Sequence, residues 1–327
     1  MSTPTAPCRP CSTASAPADG DGADRPALAL QVTRFACGGV ALGMRVAHAI
    51  CGGPGATKFL AAAARFARGQ GPPEVAPVWE RRDLLGPRRP PRVATPVFDR
   101  VLALDGDVAR CGPLGAVGEW RKQQQQLSRE CFHVSDARVE ALRARLAGEA
   151  RVRLTTFEVV AAFIWRANKL IDPPLPDGYW GNVCVPVYVA MAAGELIAQP
   201  LAATAALIKK SKLQVDNEYV RSYIDFHELH RGEGLMAGVV SSFTDWRRLG
   251  QGEVDFGWGG PDAVLPLSWR TPGSKEMCFL LPYGAGDERR RRGFKVFVAL
   301  ERTAVAGFRG EIQELLLQQH KSSVAKL

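Results

Sequence analysis

Several common signatures are missing from this chain. It has no run of eighteen apolar residues, so no membrane-spanning helix is expected. "GGPGATK" at 52–58 lacks the Gly-x4-Gly-Lys-Ser/Thr spacing of a phosphate-binding loop. No Gly-x-Ser-x-Gly occurs, which argues against a serine-hydrolase elbow. "HELH", His227 to His230, sets its histidines three apart rather than in the zinc-protease pattern, and an exposed helix face is the plainer reading. "HRGEG" from His230 and the later "DFG" at Asp255 lack the Asp after His-Arg, the following Asn and the lysine strand of a kinase. No repeat of 20–50 residues is present. Cys8 and Cys11 form a CxxC without a second pair at zinc-ribbon spacing, so no metal is expected.

What is present is the balance of a soluble globular protein: 327 residues, 46% hydrophobic and 23% charged, long enough for two domains. The net charge is +9 and the pI about 9.3, which suits an anionic ligand such as a nucleotide. The arginines are scattered, however, and the densest run, "ERRRRG" at 288–293, lies between two strand-like segments as a solvated loop. No nucleic-acid partner is expected. Cys37, Cys51, Cys131, Cys184 and Cys278 lie in or beside apolar segments and read as small hydrophobes in a reducing compartment. The first 26 residues are rich in Ser, Thr, Ala and Pro without an apolar h-region, so they read as a flexible tail rather than a secretory signal.

From Leu28 the pattern is mixed α/β. "LALQVTRF" and "GGVALGMRVAHAI" read as strands; in the second, Val40, Leu42, Met44, Val46 and His48 alternate onto one face. "PGATKFLAAAARFARG" reads as a helix with Pro54 in its first turn and Gly69 as its stop. Residues 70–96 read as an irregular crossover, and "QQQQ" at 123–126 as a loop before the strand "CFHVS". Helices are expected over "DARVEALRARLAGEA", capped by Asp136, and over "LTTFEVVAAFIWRANKL", capped by Thr155 or Thr156. "VCVPVYV" reads as a strand, two helices fill 199–232, and "GVVSSF", "VDFGWG", "MCFLLPY" and "FKVFVALE" read as strands before a last helix over 305–319.

Two features carry chemistry. His48 closes a strand just ahead of a glycine-rich turn, where it is either a proton-transfer residue or an ordinary core histidine. "DFGWG", Asp255, Phe256, Gly257, Trp258 and Gly259, interleaves two aromatics with two glycines behind an acid. The glycines permit unusual backbone angles, and a buried acid would need a partner.

On these residues the chain resembles the BAHD family of plant acyl-CoA-dependent acyltransferases. "DFGWG" matches that family's second signature without a change, and residues 30–69 resemble the stretch carrying its first, His-x-x-x-Asp. "TTFEVVAAFIWRA" (155–167), "PPLPDGYWGN" (173–182) and "FKVFVALE" (294–301) resemble its flanking segments. The resemblance implies a two-domain, chloramphenicol-acetyltransferase-like α/β fold with mixed sheets. It implies acyl transfer from acyl-CoA, as co-substrate and with no bound cofactor, to an alcohol or amine of plant specialised metabolism. His48 would be the general base, and Asp255 to Gly259 a structural loop remote from the chemistry. Ser241, Ser242 and Trp246, just ahead of that loop, would lie toward the CoA side; Thr156 and Tyr179 would line a pocket or, more simply, pack. A cytosolic monomer, with no membrane partner, is expected.

Three departures from the family follow. The acid of the first signature is Gly52. Only "NKLID", Asn168 to Asp172, stands where the family carries a strand with an arginine that pairs with that acid. The block that normally precedes "LQVTRF" is replaced by the tail, so the first domain is expected to be incomplete, with unpaired edges and an exposed apolar face. The organisation expected is a tail at 1–27, a partial first domain at 28–77, a crossover at 78–100 and a second domain at 101–327, with the segment at about 255–275 packing back on the first. The alternative to an enzyme is an inactive truncated member that at most binds CoA or an intact relative.

Overall fold

The computed structural model describes residues 26–98, 127–137, 139–140, 174–189, 191–231, 240–266, 274–291 and 293–317. The tail with its CxxC, the glutamine run, the helix expected over 154–170 with Thr156, and the short "NKLID" gap lie outside the described residues, as does most of the helix expected from Asp136. The chain divides into two compact units, Met1–Ala47 and His48–Leu327.

In the first unit, β1 (Leu28–Arg34) and β2 (Val40–Val46) pair antiparallel, with Leu30 opposite Met44 and Val32 opposite Leu42. The turn between them closes where Gly38 takes φ +86 and Phe35 exchanges backbone hydrogen bonds with Gly38 and Gly39. The apolar face foreseen for β2 is present, and Leu30 and Val32 are 50% and 63% exposed. The strand is shorter than its hydrophobic alternation suggests. The Ala47 amide makes a last bond to the Ala27 carbonyl, after which 48–50 turn, so His48 is a turn residue beyond β2.

In the second unit, α1 (Gly53–Ala67) begins on Gly52 with Pro54 in its first turn and ends before Gly69, which takes φ +71 as a helix stop requires. The crossover is irregular apart from α2 (Arg81–Leu85), and it is firmly anchored. It packs Phe98 into a cluster with Val185, Val215, Tyr219, Val220 and Phe226. α3 (Ala193–Ala198), α4 (Leu201–Leu213) and α5 (Asn217–Leu229) follow, with the Asp216 carboxylate capping α5 at the Tyr219 amide, 2.8 Å away. "VCVPVYV" is extended but forms no strand. Pro186 has no amide to donate to a ladder, and the segment instead buries Val183 and packs Val185 against Tyr219, Val220 and Phe226 of α5.

β3 (Leu127–Ser135), β4 (Val240–Asp245), β5 (Ser274–Leu281) and β6 (Gly293–Glu301) form a sheet in the order β3-β6-β5-β4, antiparallel except for the β4–β5 pair. β5 is apolar on both faces because both are covered. Met277, Phe279 and Leu281 pack with Trp246 and Phe297, while Cys278 and Leu280 pack with Val139 and Phe294. α6 (Val305–Leu317) is tied to β3 by Arg309 on Glu130 at 2.8 Å and by Phe308 against Phe132. "VDFGWG" is a loop rather than a strand, because Gly257 and Gly259 take φ +99 and +91, angles no strand contains. No described helix is long and apolar enough to cross a membrane.

Candidate active site

The turn at 48–50 leaves His48 exposed rather than packed in a core. Its Nδ1 lies 3.1 Å from Nδ2 of Asn182. Asn182 is held in turn, because its Oδ1 accepts from the Cys184 amide at 2.9 Å. The segment carrying Asn182 is seated on α1. Lys58 Nζ donates to the Asp177 and Tyr179 carbonyls at 2.6 and 3.3 Å, and Gly55 lets the Trp180 carbonyl approach where any side chain would collide. Arg81 Nη1 fixes the other side of the turn through the Ile50 carbonyl at 2.9 Å.

Gly52 serves this packing by its size. Its backbone, at φ −85 and ψ −172, is open to any residue. A Cβ there would sit 2.8 Å from Asn182 Oδ1 and 2.9 Å from Cys184 Sγ. The amide that contacts His48 therefore occupies the space that a side chain at 52 would claim. Cys51 and Cys184 flank the same point. Burial pushes both thiols up, opposed only in part by Arg81 at Cys51 and by the Gly53 backbone at Cys184. Neither is an activated nucleophile beside the imidazole. Tyr179, half-buried, has its phenol raised by burial as well.

Asp255 to Gly259 stand at the far end of α1, about 22 Å along a helix of 15 residues. Asp255 Oδ1 accepts from the Gly257 and Gly259 amides at 2.7 and 2.9 Å, and Oδ2 faces Arg68 at 3.8 Å. The Gly257 amide, then the Gly259 amide and Arg68, hold the Asp255 carboxyl below the usual range. Phe256 and Trp258 stack at 6.0 Å, with Trp258 on the surface. Asp255→Ala is expected to open this loop, read as faster amide hydrogen exchange at Gly257 and Gly259 with exchange in β5 unchanged; equal protection in both proteins would assign the loop's order to other contacts.

Trp246 is part of the sheet packing. Its amide extends the β4 ladder to the Leu280 carbonyl at 2.8 Å, and its ring meets Phe279 edge-on at 5.3 Å. Ser242 lies half-buried on β4, beside Ser241. The residue that sequence reasoning missed is Asn182. It ends "PPLPDGYWGN", whose family likeness was legible while its proximity to His48 was not.

The sequence matches the family model described as "Transferase family" over residues 13–170 and 167–315. It is 28% identical to 3'-N-debenzoyl-2'-deoxytaxol N-benzoyltransferase of Taxus canadensis, over 90% of this chain and 67% of that protein. It is 31% identical to piperine synthase of Piper nigrum, over 89% and 64%, and 34% identical to benzyl alcohol O-benzoyltransferase of Nicotiana tabacum, over 72% and 53%. The chain thus spans about two thirds of the length of the first two. Among solved structures it is similar to vinorine synthase, with a TM-score of 0.53 at 19% identity over 86% of this chain and 63% of that one. It is also similar to F. sporotrichioides TRI101 complexed with coenzyme A and T-2, with a TM-score of 0.59 at 16% identity over 91% and 70%. At such identities the likeness speaks of fold, and the fold is the chloramphenicol-acetyltransferase-like α/β class expected, with its mixed sheet. By the family model and these relatives together, the chain belongs to the transferase family of plant BAHD acyltransferases.

Proposed function

We propose that the chain transfers an acyl group from acyl-CoA to a hydroxyl or amine of a plant specialised metabolite, with His48 as general base. The observation that carries this reading is the exposed imidazole held by Asn182 ahead of α1, in a chain of this family. The imidazole takes the acceptor's proton as the acceptor oxygen or nitrogen bonds to the thioester carbonyl carbon. The carbon–sulfur bond then breaks, and the imidazolium returns the proton to the leaving thiolate. The raised thiols of Cys51 and Cys184 favour this direct transfer over an acyl-cysteine intermediate. The acyl-CoA and the acceptor are the partners, and the setting is a cytosolic monomer. Ser241, Ser242 and Trp246 stand toward the CoA side in this reading, and Asp255 to Gly259 act as architecture.

Purified full-length chain incubated with benzoyl- or acetyl-CoA and a panel of alcohols and amines tests the proposal. His48→Ala is expected to lower turnover roughly 10²- to 10⁴-fold; turnover that survives the substitution would remove His48 from the chemistry. The second reading, an inactive member that binds CoA or an intact relative, rests on Gly52 standing where the family has its acid. CoA binding by calorimetry, with no turnover on any acceptor, is its expected result.

A further inference from the structure

We propose that Asn182 is the positioning residue of His48 and selects the tautomer of its ring. The orientation of the amide is set by its neighbours. Oδ1 is engaged by the Cys184 N–H at 2.9 Å, so it is Nδ2, a donor, that faces His48 Nδ1 at 3.1 Å. An imidazole nitrogen that accepts a hydrogen bond carries a lone pair, so the neutral ring holds its proton on Nε2. Nδ1 is occupied by the amide, which leaves Nε2 as the nitrogen open to a substrate. A general base needs its lone pair there.

The resting ring therefore presents a donor where catalysis needs an acceptor. Moving the proton to Nδ1 requires the Asn182 amide to turn its oxygen toward the ring, which takes that oxygen from the Cys184 N–H. One hydrogen bond thus opposes the base-competent tautomer, a bias of roughly tenfold. Gly52 belongs to the same device, since a side chain at 52 would enter the space of Asn182 Oδ1. The catalytic consequence rests on the reading of His48 as the base. The tautomer assignment does not.

The variant that separates these statements is Asn182→Asp, close to isosteric. One carboxylate oxygen still accepts from the Cys184 N–H, and the other accepts from Nδ1–H, so the lone pair moves to Nε2 as in a base–orienter pair. The readout is the ¹⁵N spectrum of imidazole-labelled full chain at pH 9, where an imidazole is neutral. His48 is assigned by difference against His48→Gln. The wild-type ring is expected to show its lone pair on Nδ1, and Asn182→Asp is expected to move it to Nε2. A wild-type spectrum with the proton on Nδ1 overturns the assignment without any variant, as does an Asn182→Asp spectrum unchanged from wild type.

Turnover then tests the link to catalysis. Asn182→Asp is expected to raise kcat roughly tenfold, the bias removed. An inverted tautomer with unchanged or lower kcat overturns the catalytic role and leaves the tautomer standing. Absence of turnover in wild type and variant alike would defeat the reading of His48 as base, a failure distinct from either spectral result.

Discussion

Asp225→Ala is expected to destabilise the chain by about 3–5 kcal/mol, the loss typical when one side of a buried charge pair is removed. Asp225 lies on α5 with its side chain 1% exposed, and it receives three donors. Arg88 Nε approaches Oδ2 at 2.6 Å, the Arg88 amide approaches Oδ1 at 2.8 Å, and the Arg92 amide approaches Oδ2 at 2.9 Å. The rest of the Arg88 guanidinium forks onto Glu218 at 2.9–3.0 Å, and Ser222 links Glu218 to the Ala94 amide. This network holds the crossover on α5 and so keeps Phe98 in its cluster. Arg88→Ala, which strands the buried carboxylate, is expected to fall in the same range, whereas Arg88→Met with Asp225→Leu is expected to be milder than either single change. Urea midpoints check this. An Arg88→Ala loss below about 1 kcal/mol would show that water satisfies the carboxylate.

The same residue sets a pH dependence. Burial alone pushes the Asp225 carboxyl up, but the Arg92 amide, the Arg88 guanidinium and the Arg88 amide outweigh it and hold the group below its ordinary value. A depressed carboxylate contributes stability that is complete above its unfolded value, about 3.9, and is lost as pH falls from there toward the folded value. Urea midpoints are therefore expected to drop between about pH 4 and lower pH in wild type, and less steeply in the double variant, which lacks the group.

The elements that could be read in the sequence are those whose local pattern and tertiary role agree. The apolar alternation of β2 marks a strand, Pro54 and Gly69 mark the ends of α1, and the uninterrupted apolar run of β5 encodes a burial that the fold then uses. The misreadings have physical causes. Val183 to Val189 look like a strand because apolar residues alternate there, yet Val185 is buried against α5 and Phe98, Val189 is exposed, and Pro186 denies the segment a ladder. "VDFGWG" alternates like a strand, but its glycines are used for positive φ and its acid for the amides two and four residues on. The anchoring of the crossover was illegible, because Arg88 and Asp225 are 137 residues apart. His48 was legible as a candidate from its place before a glycine-rich turn. Its partner was not, since Asn182 lies 134 residues away and an asparagine announces no chemistry.

Restoring the family's acid, Gly52→Asp, is expected to harm this chain. The backbone at 52 would accept an aspartate, so the objection is one of space. The new Cβ would meet Asn182 Oδ1 at 2.8 Å and Cys184 Sγ at 2.9 Å. Both are side-chain tips that would have to turn away, and Asn182 Oδ1 can do so only by giving up its bond to the Cys184 amide. Overpacking of this kind costs about 1–3 kcal/mol. Because Asn182 is what must move, its bond to the Cys184 amide is lost with it, and stability is expected to fall. Combining Gly52→Asp with Asn182→Gly removes the nearer of the two collisions, so the changes are expected to be non-additive by about 0.5–3 kcal/mol, with the pair more stable than the sum of its parts. Denaturant midpoints for the four proteins of the cycle measure this directly. Additive losses, or a Gly52→Asp chain that is more stable than the parent, would mean that Asn182 does not hold the place of the missing acid, and that the glycine at 52 was never matched to the amide beside it.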